Sequence, residues 1–295
     1  MVRIKKKLSG KQEYYYLEHA YREGSKVKKK ELYLGKAIPK DIEEIKKNFL
    51  SGIYKEKFYK TLDIIKKGYS ADLRQIPESV REKEILAFAI KFTYDTQRIE
   101  GSKLTLRETA DLLGKGITPT SKPAGDAEEA EAHKRLFYEM LGSKKELSLQ
   151  LILEWHRKLF QATKPDIAGI IRRHQVAVSG SKFMPPFPAE IYPLLREFFK
   201  WYAGNRNKIH PVELAAFVHL KFVTIHPFSD GNGRASRLIM NFVLHKNNYP
   251  MLDIPYTGRN SYYNALERSQ VKEREEIFVS WFIKKYIKEN RKFLS

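Results

Sequence analysis

Apolar residues recur at helical spacing through most of the chain from about residue 40 onward. The stretch "FLSGIYKEKFYKTLDIIKKGY" shows heptad-like spacing, and "PESVREKEILAFAIKFTYDTQRIEG" continues the pattern between a proline and a glycine typical of helix ends. Residues 105–108, "TLRE", have the form of a capping box, which predicts a helix start at Thr105. The pattern therefore predicts a mainly α protein.

Two segments break the helical pattern and are typical of β-hairpins. Residues 13–35, "EYYYLEHAYREGSKVKKKELYLG", place β-rich runs on either side of Gly24 and Ser25, which suit a tight turn. Residues 169–188 alternate like a strand at "QVAV", turn at "SGSK" and end at a proline pair. We predict a helical bundle with a β-hairpin flap, plus a small basic N-terminal β-hairpin. The flap could only cover the helical core, or it could pair with an extended target segment.

The chain is strongly basic, with 55 Lys and Arg against 35 Asp and Glu and a net charge of +20. Almost half of the excess lies in residues 1–60, which hold 17 basic and 8 acidic residues. This charge favours a polyanionic partner, which could be a nucleic acid, a nucleotide or an acidic protein. The N-terminal segment could therefore be a module that binds nucleic acid or a protein, or a stabilising extension with solvated charges.

The absence of cysteine excludes disulfides, thiolate metal sites and a thiol nucleophile. The opening "MVRIKKKLSGKQ" carries charge but is not followed by an apolar run of signal-peptide length. The chain also has no uninterrupted apolar run of membrane length. We therefore expect a cytoplasmic protein without a membrane partner.

The segment with candidate chemistry is "IHPFSDGNGRASR", residues 225–237. An apolar helix precedes it and Pro227 disfavours helix continuation, so His226 is predicted at a helix-to-loop junction. Gly231 and Gly233 let the backbone turn closely, so that NH groups at the start of the next helix can converge on an anion. The segment therefore predicts a phosphate-binding loop.

Charged residues around this loop favour a nucleotide and a metal ion. Arg234 and Arg237 lie three positions apart on one helix face, where they could hold further phosphate oxygens. Asp230 would repel phosphate unless it binds Mg²⁺, which proteins commonly hold through one or two carboxylates together with phosphates. His226 is near enough to deprotonate an incoming nucleophile. These residues predict a nucleoside triphosphate bound with magnesium.

Residues 226–237, "HPFSDGNGRASR", resemble the Fic-family signature His-Pro-Phe-x-Asp/Glu-Gly-Asn-Gly/Lys-Arg-x-x-Arg at every defined position. "RRHQVAVSGSKFMPP" is similar to the family's flap, "HPVELAAFVHLKF" to the helix entering the motif, and "RNSYYNAL" to a later helix near the nucleotide base. The resemblance covers roughly residues 85–275. It implies transfer of AMP from ATP to a Tyr, Thr or Ser hydroxyl of a target protein or of the chain itself.

The resemblance also implies roles for the residues of the motif. His226 would accept the proton of the attacking hydroxyl, and Asp230 would bind Mg²⁺, or Mn²⁺, between the α- and β-phosphates. Asn232, with the backbone of Gly231 and Gly233, would form an anion hole. This division of roles fits a phosphoryl-type transfer, in which positioning and electrostatics contribute most.

Further nucleotide contacts are implied beyond the anion hole. Arg234 and Arg237 would bind the β- and γ-phosphates. Tyr262 and Tyr263 would lie near the adenine, one facing the base and one facing inward, although an aromatic pair on a helix also fits a core position. The related Doc-type kinases favour Ala-Asn-Lys where this chain has Gly-Asn-Gly, so protein phosphorylation is disfavoured.

Residues 96–101, "TQRIEG", resemble the family's inhibitory motif Ser/Thr-x-x-x-Glu-Gly/Asn. Thr96 and Glu100 lie one turn apart on a helix that ends at Gly101, and this spacing alone also fits a solvated carboxylate. In the family the glutamate pairs with the second motif arginine, here Arg237, at the place of the γ-phosphate. The resemblance predicts a self-inhibited transferase; in the alternative, Glu100 positions water that removes AMP from modified protein.

The pattern and the resemblance together divide the chain into four parts. These are a basic hairpin with the start of a linker helix (1–60), N-terminal helices that include an inhibitory helix at about 77–101 (61–115), a Fic core (116–275) and a C-terminal helix (276–295). The resemblance implies ATP and a protein substrate as partners and allows a homodimer. Nucleic-acid binding by the basic N-terminus is the alternative partner class.

Overall fold

The computed structural model describes residues 2–23 and 26–294, in which helices predominate. The strands are β1 (Val2–Ser9), β2 (Gln12–Glu23) and β3 (Lys26–Gly35). The α-helices are α1 (Ile42–Gln75), α2 (Glu78–Ile99), α3 (Leu106–Lys115), α4 (Ala124–Gly142), α5 (Leu149–Phe160), α6 (Pro188–Asn205), α7 (Pro211–Ile225), α8 (Asn232–Lys246), α9 (Arg259–Val271) and α10 (Glu275–Glu289), with 3₁₀ turns at Tyr256–Gly258 and Arg291–Leu294. The predicted mainly α fold is confirmed. Over the described ranges, every helix is too short or too polar to cross a bilayer.

The chain divides into two compact units, Met1–Asp63 and Ile64–Ser295. The first unit contains an antiparallel sheet in the order β1-β2-β3. Leu17 of β2 and Ile53 of α1 are among its buried side chains. The second unit contains the remaining helices and the loop with candidate chemistry.

The sheet of the first unit differs from the predicted two-stranded hairpin, because β1 pairs with β2 as a third strand. The sequence "VRIKKKLS" places lysines on both faces of β1, which hides the alternation that marks a half-buried strand. Pairing with β2 stabilises β1, and local pattern alone does not reveal such a partner. The predicted turn residues Gly24 and Ser25 lie outside the described residues.

Two buried helices, α7 and α8, form the centre of the second unit. α7 is apolar on almost every side, and Val212, Ala215, Val218 and Phe222 have no exposed surface. A helix that is hydrophobic all round is typically buried on all sides. The loop at residues 226–231 joins these two helices, so its ends are held by the core.

Helix boundaries near the candidate inhibitory motif follow the sequence signals. Thr105 and Glu108 form the predicted capping box at the start of α3, since each side chain accepts a hydrogen bond from the other residue's backbone N–H, at 3.2 and 2.8 Å. α2 ends at Ile99, and the next residue, Glu100, is its C-terminal cap. Gly101 follows with a φ of 103°, a left-handed value that glycine adopts readily.

The predicted flap, residues 169–188, contains no helix before Pro188 and carries no strand pairing in the described chain. A turn brings the N–H of Ser181 to the carbonyl of Val178 at 3.1 Å. Two prolines remove backbone donors from one arm, and side chains close the base instead. The Arg172 guanidinium, for example, donates to the Pro186 carbonyl at 2.6 Å. The hairpin shape is therefore present without a β-ladder.

Candidate active site

His226 lies at the C-terminal end of α7, at the helix-to-loop junction that the sequence predicts. Its backbone is left-handed, with φ 51° and ψ 55°, and its N–H donates to the Phe222 carbonyl at 3.1 Å. Nδ1 lies 3.0 Å from the Val223 carbonyl, which can only accept, so Nδ1 carries the hydrogen and Nε2 is left as an acceptor. Burial is the main cause that lowers the pKa of His226 below its ordinary value. The imidazole is therefore a neutral base at neutral pH.

Two buried side chains brace the loop that follows. Asn232 accepts a hydrogen bond from the Phe228 N–H at 2.9 Å and donates to the Phe228 carbonyl at 2.8 Å. His156 Nδ1 accepts from the Gly169 N–H at 2.9 Å, so its Nε2 donates to the Asp230 carbonyl at 3.0 Å. The loop is thus fixed from inside the helical core.

The two loop glycines let other groups approach the N-terminus of α8 closely. Gly231 has a φ of 79°, and a Cβ there would collide with the Phe160 ring. A Cβ at Gly233 would collide with the carboxylate of Glu100. The Glu100 carboxylate therefore lies over the positive end of α8, where a helix favours an anion.

Arg237 is only 1% exposed and is bonded mainly to the end of α2. Its guanidinium donates to Glu100 Oε1 and to Thr96 Oγ1, each at 2.5 Å, to the Thr96 carbonyl at 3.2 Å and to the Tyr262 hydroxyl at 3.3 Å. Burial is the largest single influence and lowers the pKa of Arg237, but Glu100 and Tyr262 together outweigh it and raise that pKa. The structure thus brings together Thr96, Glu100 and Arg237.

The tyrosine pair on α9 divides between the interior and the surface. Tyr262 is buried, and because Arg237 donates to its oxygen, its hydroxyl donates to Nε2 of His219 at 3.0 Å. Burial raises the pKa of Tyr262 to about 12. Tyr263 is 43% exposed and donates to the Ile99 carbonyl at 3.0 Å. One ring therefore faces inward and the other remains accessible.

Arg234 is 3% exposed, but its partners differ from those of Arg237. It forms a close ion pair with Glu129 of α4, and it donates to Gln97 at 3.0 Å and to Asp230 at 3.1 Å. Its guanidinium also lies 4.5 Å from the centre of the Phe160 ring. The carboxylates of Glu129 and Asp230 therefore neutralise Arg234, whereas Glu100 neutralises Arg237 three residues later.

Asp230 is the candidate metal ligand, and cations surround it. Its Oδ1 accepts from the Gly231 N–H at 2.6 Å, and its Oδ2 accepts from Lys164 Nζ at 2.7 Å. Burial alone would raise the pKa of Asp230, but Arg234 and Lys164 lower it to about 2, so the carboxylate is ionised. Lys164 also lies 3.1 Å from Glu129.

The donor set around Asp230 decides how a metal could bind. In the described part of the chain, no three His, Asp or Glu side chains cluster closely enough to hold a metal ion by themselves. An ion here would therefore share the single Asp230 carboxylate with oxygens of a bound ligand. That arrangement fits Mg²⁺, which keeps few protein ligands and binds substrate phosphates.

A cavity of about 350 Å³ connects His226, Glu100 and the start of α8. It is lined by Ile99, Glu100, Val178, Ser179, Gly180, Ser181, Val223, His226, Gly233, Tyr262, Tyr263, Leu266, Glu267 and Gln270. A cavity of about 530 Å³ between α6, α7, α9 and α10 is larger, but the residues of the 226–237 loop do not line it. The smaller cavity is therefore the site at which His226, Glu100 and Gly233 can contact one ligand.

For three residues of the site, Lys164, His156 and Arg172, the sequence analysis predicted no role. Lys164 pairs with Asp230, and His156 braces the same loop residue. Arg172 is 3% exposed and donates to the His226 carbonyl at 2.8 Å while it also holds the flap. A charged residue directly after the apolar run "AGII" is the one local hint for Arg172.

The fold and the site define a class of helical protein in which a buried helix ends at a histidine and a Gly-Asn-Gly loop opens the next helix. The sequence profile of the Fic/DOC family matches residues 146–244. The matched residues contain the 226–237 motif, so this part of the chain is similar to the Fic/DOC family, which confirms the resemblance drawn from the motif. A Fic domain containing signaling protein from Bacteroides thetaiotaomicron has a similar structure, with a TM-score of 0.71 and 25% identity over 79% of this chain and 95% of that chain.

Other relatives come from animals. Fic-1 (residues 134–508) from C. elegans has a TM-score of 0.70 and 26% identity over 83% of this chain and 72% of that chain. Protein adenylyltransferase Fic from Drosophila ananassae is 36% identical over 178 residues, which are 59% of this chain and 35% of that protein. The match thus spans about a third of the length of these curated relatives.

Proposed function

We propose that this protein transfers AMP from ATP to a hydroxyl group on a protein, and that Glu100 holds it inactive. One observation carries the proposal: His226, whose Nε2 can accept a proton, lines the same cavity as Gly233 at the N-terminus of α8, over which Glu100 lies. The family match and the relatives named protein adenylyltransferase support this reaction class.

The chemistry follows from the two sides of the cavity. Nε2 of His226 takes the proton of the target hydroxyl, and the hydroxyl oxygen bonds to the α-phosphorus. The bond from that phosphorus to the oxygen bridging to the β-phosphate breaks, and pyrophosphate leaves with the negative charge. Backbone N–H groups of Asn232 and Gly233 hold anionic oxygens at the α8 N-terminus, and the Gly231 N–H joins them when it leaves Asp230 Oδ1. Asn232 also keeps the loop in shape.

Asp230 is the group that would hold Mg²⁺, or Mn²⁺. A bound ion would neutralise phosphate charge at this side of the cavity. Asp230 is ionised and so ready for this role, but its Oδ2 has to leave Lys164 first. Its Oδ1 also accepts from Arg234 at 3.1 Å.

Inhibition follows from the position of Glu100 on Arg237. The pair is 2.5 Å long, and a carboxylate at this point excludes the γ-phosphate that would otherwise neutralise Arg237. Release of Glu100 leaves a buried guanidinium without its anion, which favours binding of a triphosphate. A phosphate contact by Arg234 stays a prediction, because core carboxylates already surround its guanidinium.

The flap supplies a place for the target. Its arms carry no strand pairing of their own, so their backbone groups can pair with an extended target segment and bring its Tyr, Thr or Ser hydroxyl to His226. The accessible Tyr263 ring is suited to contact adenine, beside the flap residues that line the cavity. The homodimer and the cytoplasmic location stay predictions.

Labelling with α-³²P-ATP in the presence of Mg²⁺ tests the proposal. We expect label on Glu100→Gly and little on the wild type, because only the variant frees Arg237 and the α8 N-terminus. The double variant Glu100→Gly with His226→Ala should not be labelled. Glu128→Gly, which changes an exposed glutamate outside the cavity, should behave as the wild type.

Two results would contradict the proposal. Equal labelling of wild type and Glu100→Gly would remove the inhibitory role of Glu100. Absence of label from every folded form, with candidate target proteins supplied, would remove AMP transfer itself.

Removal of AMP from modified protein is the second candidate activity. It is favoured by the fact that Glu100 and His226 line one cavity, in which the carboxylate could position a water molecule for attack. Wild type would then release AMP from an AMP-modified target with Mg²⁺ or Mn²⁺, whereas Glu100→Gly would not. No release by wild type with either metal would exclude this activity.

A further inference from the structure

One face of the three-stranded sheet, which we call the tyrosine face, presents Tyr14, Tyr16 and Tyr33. In the register of the sheet, Lys7 lies opposite Tyr14, and Lys5 and Tyr33 lie opposite Tyr16. Directly opposed residues project from the same side of a sheet, so all five side chains share this face. The Tyr33 ring centre is 5.2 Å from that of Tyr16 and 6.2 Å from that of Tyr14. The rings form a continuous aromatic row.

Basic side chains surround this aromatic row. The register adds Arg3 on β1 and Lys29 on β3 to the same face, and both are exposed. The ammonium of Lys7 lies 4.4 Å from the centre of the Tyr16 ring. The tyrosine face therefore combines flat aromatic surfaces with cations at close range.

Two glutamates on this face do not cancel its charge. Glu18 and Glu31 both pair with Lys5, at 3.1 and 3.6 Å, and Glu31 also pairs with Lys7 at 2.5 Å. These exposed pairs hold the lysines beside the rings. Over residues 1–35 the chain has ten Lys and Arg against four Asp and Glu, so the sheet as a whole is strongly basic.

The opposite face of the sheet is used for packing inside the first unit. Leu17, on that face, has no exposed surface, and Ile53 of α1 is also buried. Lys30, on the same face of β3, pairs with Glu56 of α1. Tyr33 on the tyrosine face is 52% exposed, so this face is the one turned to solvent within the unit.

We propose that the tyrosine face binds single-stranded nucleic acid. Proteins that bind single strands use aromatic side chains on which bases stack and a positive surface that follows the backbone, and this face has both. A duplex hides the faces of its bases and admits a helix or a two-stranded ribbon into its major groove, which suits these rings less well. An acidic protein would match the charge but would not need the aromatic row.

Fluorescence anisotropy of the full chain tests this proposal directly. The probes are labelled oligo-dT and oligo-U of about 20 nucleotides, long enough for the usual sites of single-strand binders. A duplex of the same length and polyglutamate serve as competitors. We expect both single strands to bind, with affinity that falls as salt rises, and the competitors to displace them poorly.

Neighbouring lysines on β1 provide a matched pair of variants. Lys5 lies on the tyrosine face, whereas Lys6 lies on the opposite face, where it pairs with Glu13. Lys5→Gln and Lys6→Gln remove the same charge from the same strand. Lys5→Gln should weaken binding and reduce the slope of log affinity against log salt by about 0.7, as expected for one lost phosphate contact. Lys6→Gln should change neither.

The aromatic contribution is tested at Tyr33. Tyr33→Leu should weaken binding roughly tenfold, and Tyr33→Trp should keep it, because tryptophan retains a ring for stacking. Circular dichroism confirms that each variant keeps its fold. Absence of binding at low salt, equal losses in Lys5→Gln and Lys6→Gln, or full displacement by duplex or polyglutamate would each overturn the proposal.

Discussion

The two arginines of the 226–237 motif, Arg234 and Arg237, are almost equally buried, but different anions neutralise them. Arg234 is paired with Glu129, within α4, and with Asp230 in the loop that precedes α8. Arg237 is paired with Glu100, the residue that caps the end of α2. Glu129 is buried in the helical core, whereas Glu100, at the end of α2, borders the 350 Å³ cavity.

This difference separates a structural ion pair from an exchangeable one. The Glu129 side chain is 11% exposed and Glu100 is 26% exposed and lines the 350 Å³ cavity. A ligand can therefore reach the partner of Arg237 without opening the core. We infer that Arg234 supports the loop while Arg237 can exchange its partner, and four measurements can break or sharpen this distinction.

The largest effect is expected from removing the two acidic partners in turn. Glu129→Ala should lower the free energy of unfolding by about 3–5 kcal/mol, because it leaves a buried charge without its main partner. Glu100→Ala should cost less, about 1–2 kcal/mol, since Glu100 borders the cavity and water can take the place of its carboxylate. Urea unfolding measures both. The exposed neighbour Glu128 provides the control, with an expected change of about 0.5 kcal/mol or less. Equal losses of unfolding free energy in Glu129→Ala and Glu100→Ala would show that the two ion pairs do not differ in this way.

Acid should destabilise the protein through His133, which lies close to both arginines. Burial, and to a smaller extent the charges of Arg234 and Arg237, lower the pKa of His133 to about 3. Unfolded chains bind a proton at this residue below the ordinary pKa of 6.5, whereas the folded chain does not. The contribution of the neutral His133 imidazole to the free energy of unfolding is therefore complete above pH 6.5. It is lost as pH falls toward 3, by at most about 1.4 kcal/mol per pH unit.

The variant His133→Gln isolates this contribution. Glutamine can keep the hydrogen bond that His133 Nδ1 makes with the Thr93 hydroxyl at 2.8 Å, but it does not titrate. Stability between pH 6.5 and 4 should then depend less on pH than in the wild type. His174→Gln, at an exposed position of the flap, is the control. An unchanged slope in His133→Gln would contradict the assignment.

Metal affinity should rise when Lys164 is neutralised, because Lys164 occupies one oxygen of Asp230. Lys164→Met should bind Mn²⁺ roughly fivefold more tightly, the equivalent of about 1 kcal/mol for one charged contact. Titration calorimetry and Mn²⁺ electron paramagnetic resonance measure the Mn²⁺ affinity without catalytic turnover. Lys158→Met, which breaks pairs with Glu139 and Glu154, is the matched control. Unchanged or weaker binding in Lys164→Met would show that Lys164 does not compete for Asp230.

The smallest effect is expected at Tyr262. Tyr262→Phe removes the hydroxyl between Arg237 and His219, but Arg237 keeps its bonds to Thr96 and Glu100. The loss should be about 1 kcal/mol in urea unfolding. Tyr263→Phe, which removes one bond to a backbone carbonyl from a more exposed ring, should cost less. A larger loss at Tyr263 would mean that the buried hydroxyl is not a support of Arg237.

Sequence pattern predicted those features that depend on neighbouring residues. The helical periodicity, the capping box at Thr105 and the position of His226 at a helix end all follow from local rules, and the structure confirms them. The contact between Glu100 and Arg237 joins residues 137 positions apart, and only the family resemblance predicted it. Local chemistry identified the loop, but it could not identify the anion that covers it.

The features that the sequence missed are contacts over long distances in the chain. Lys164 meets Asp230 across 66 positions, and Arg172 meets His226 across 54. Packing of helices brings these side chains together, and the spacing of apolar residues along the chain does not show which helices pack against each other. Strand β1 was missed for a similar reason, since its pairing with β2 stabilises a segment whose own pattern is a run of charge.

The lack of a side chain at Gly233 also has a genetic consequence. A methyl group there would collide with the Glu100 carboxylate and would lie 3.0 Å from the Arg237 guanidinium. Any glycine codon becomes an alanine codon through a single base substitution, so inherited variation can disturb this ion pair while both of its members stay unchanged. Selection that maintains this ion pair must therefore preserve the codon for Gly233 as well as the codons for Glu100 and Arg237.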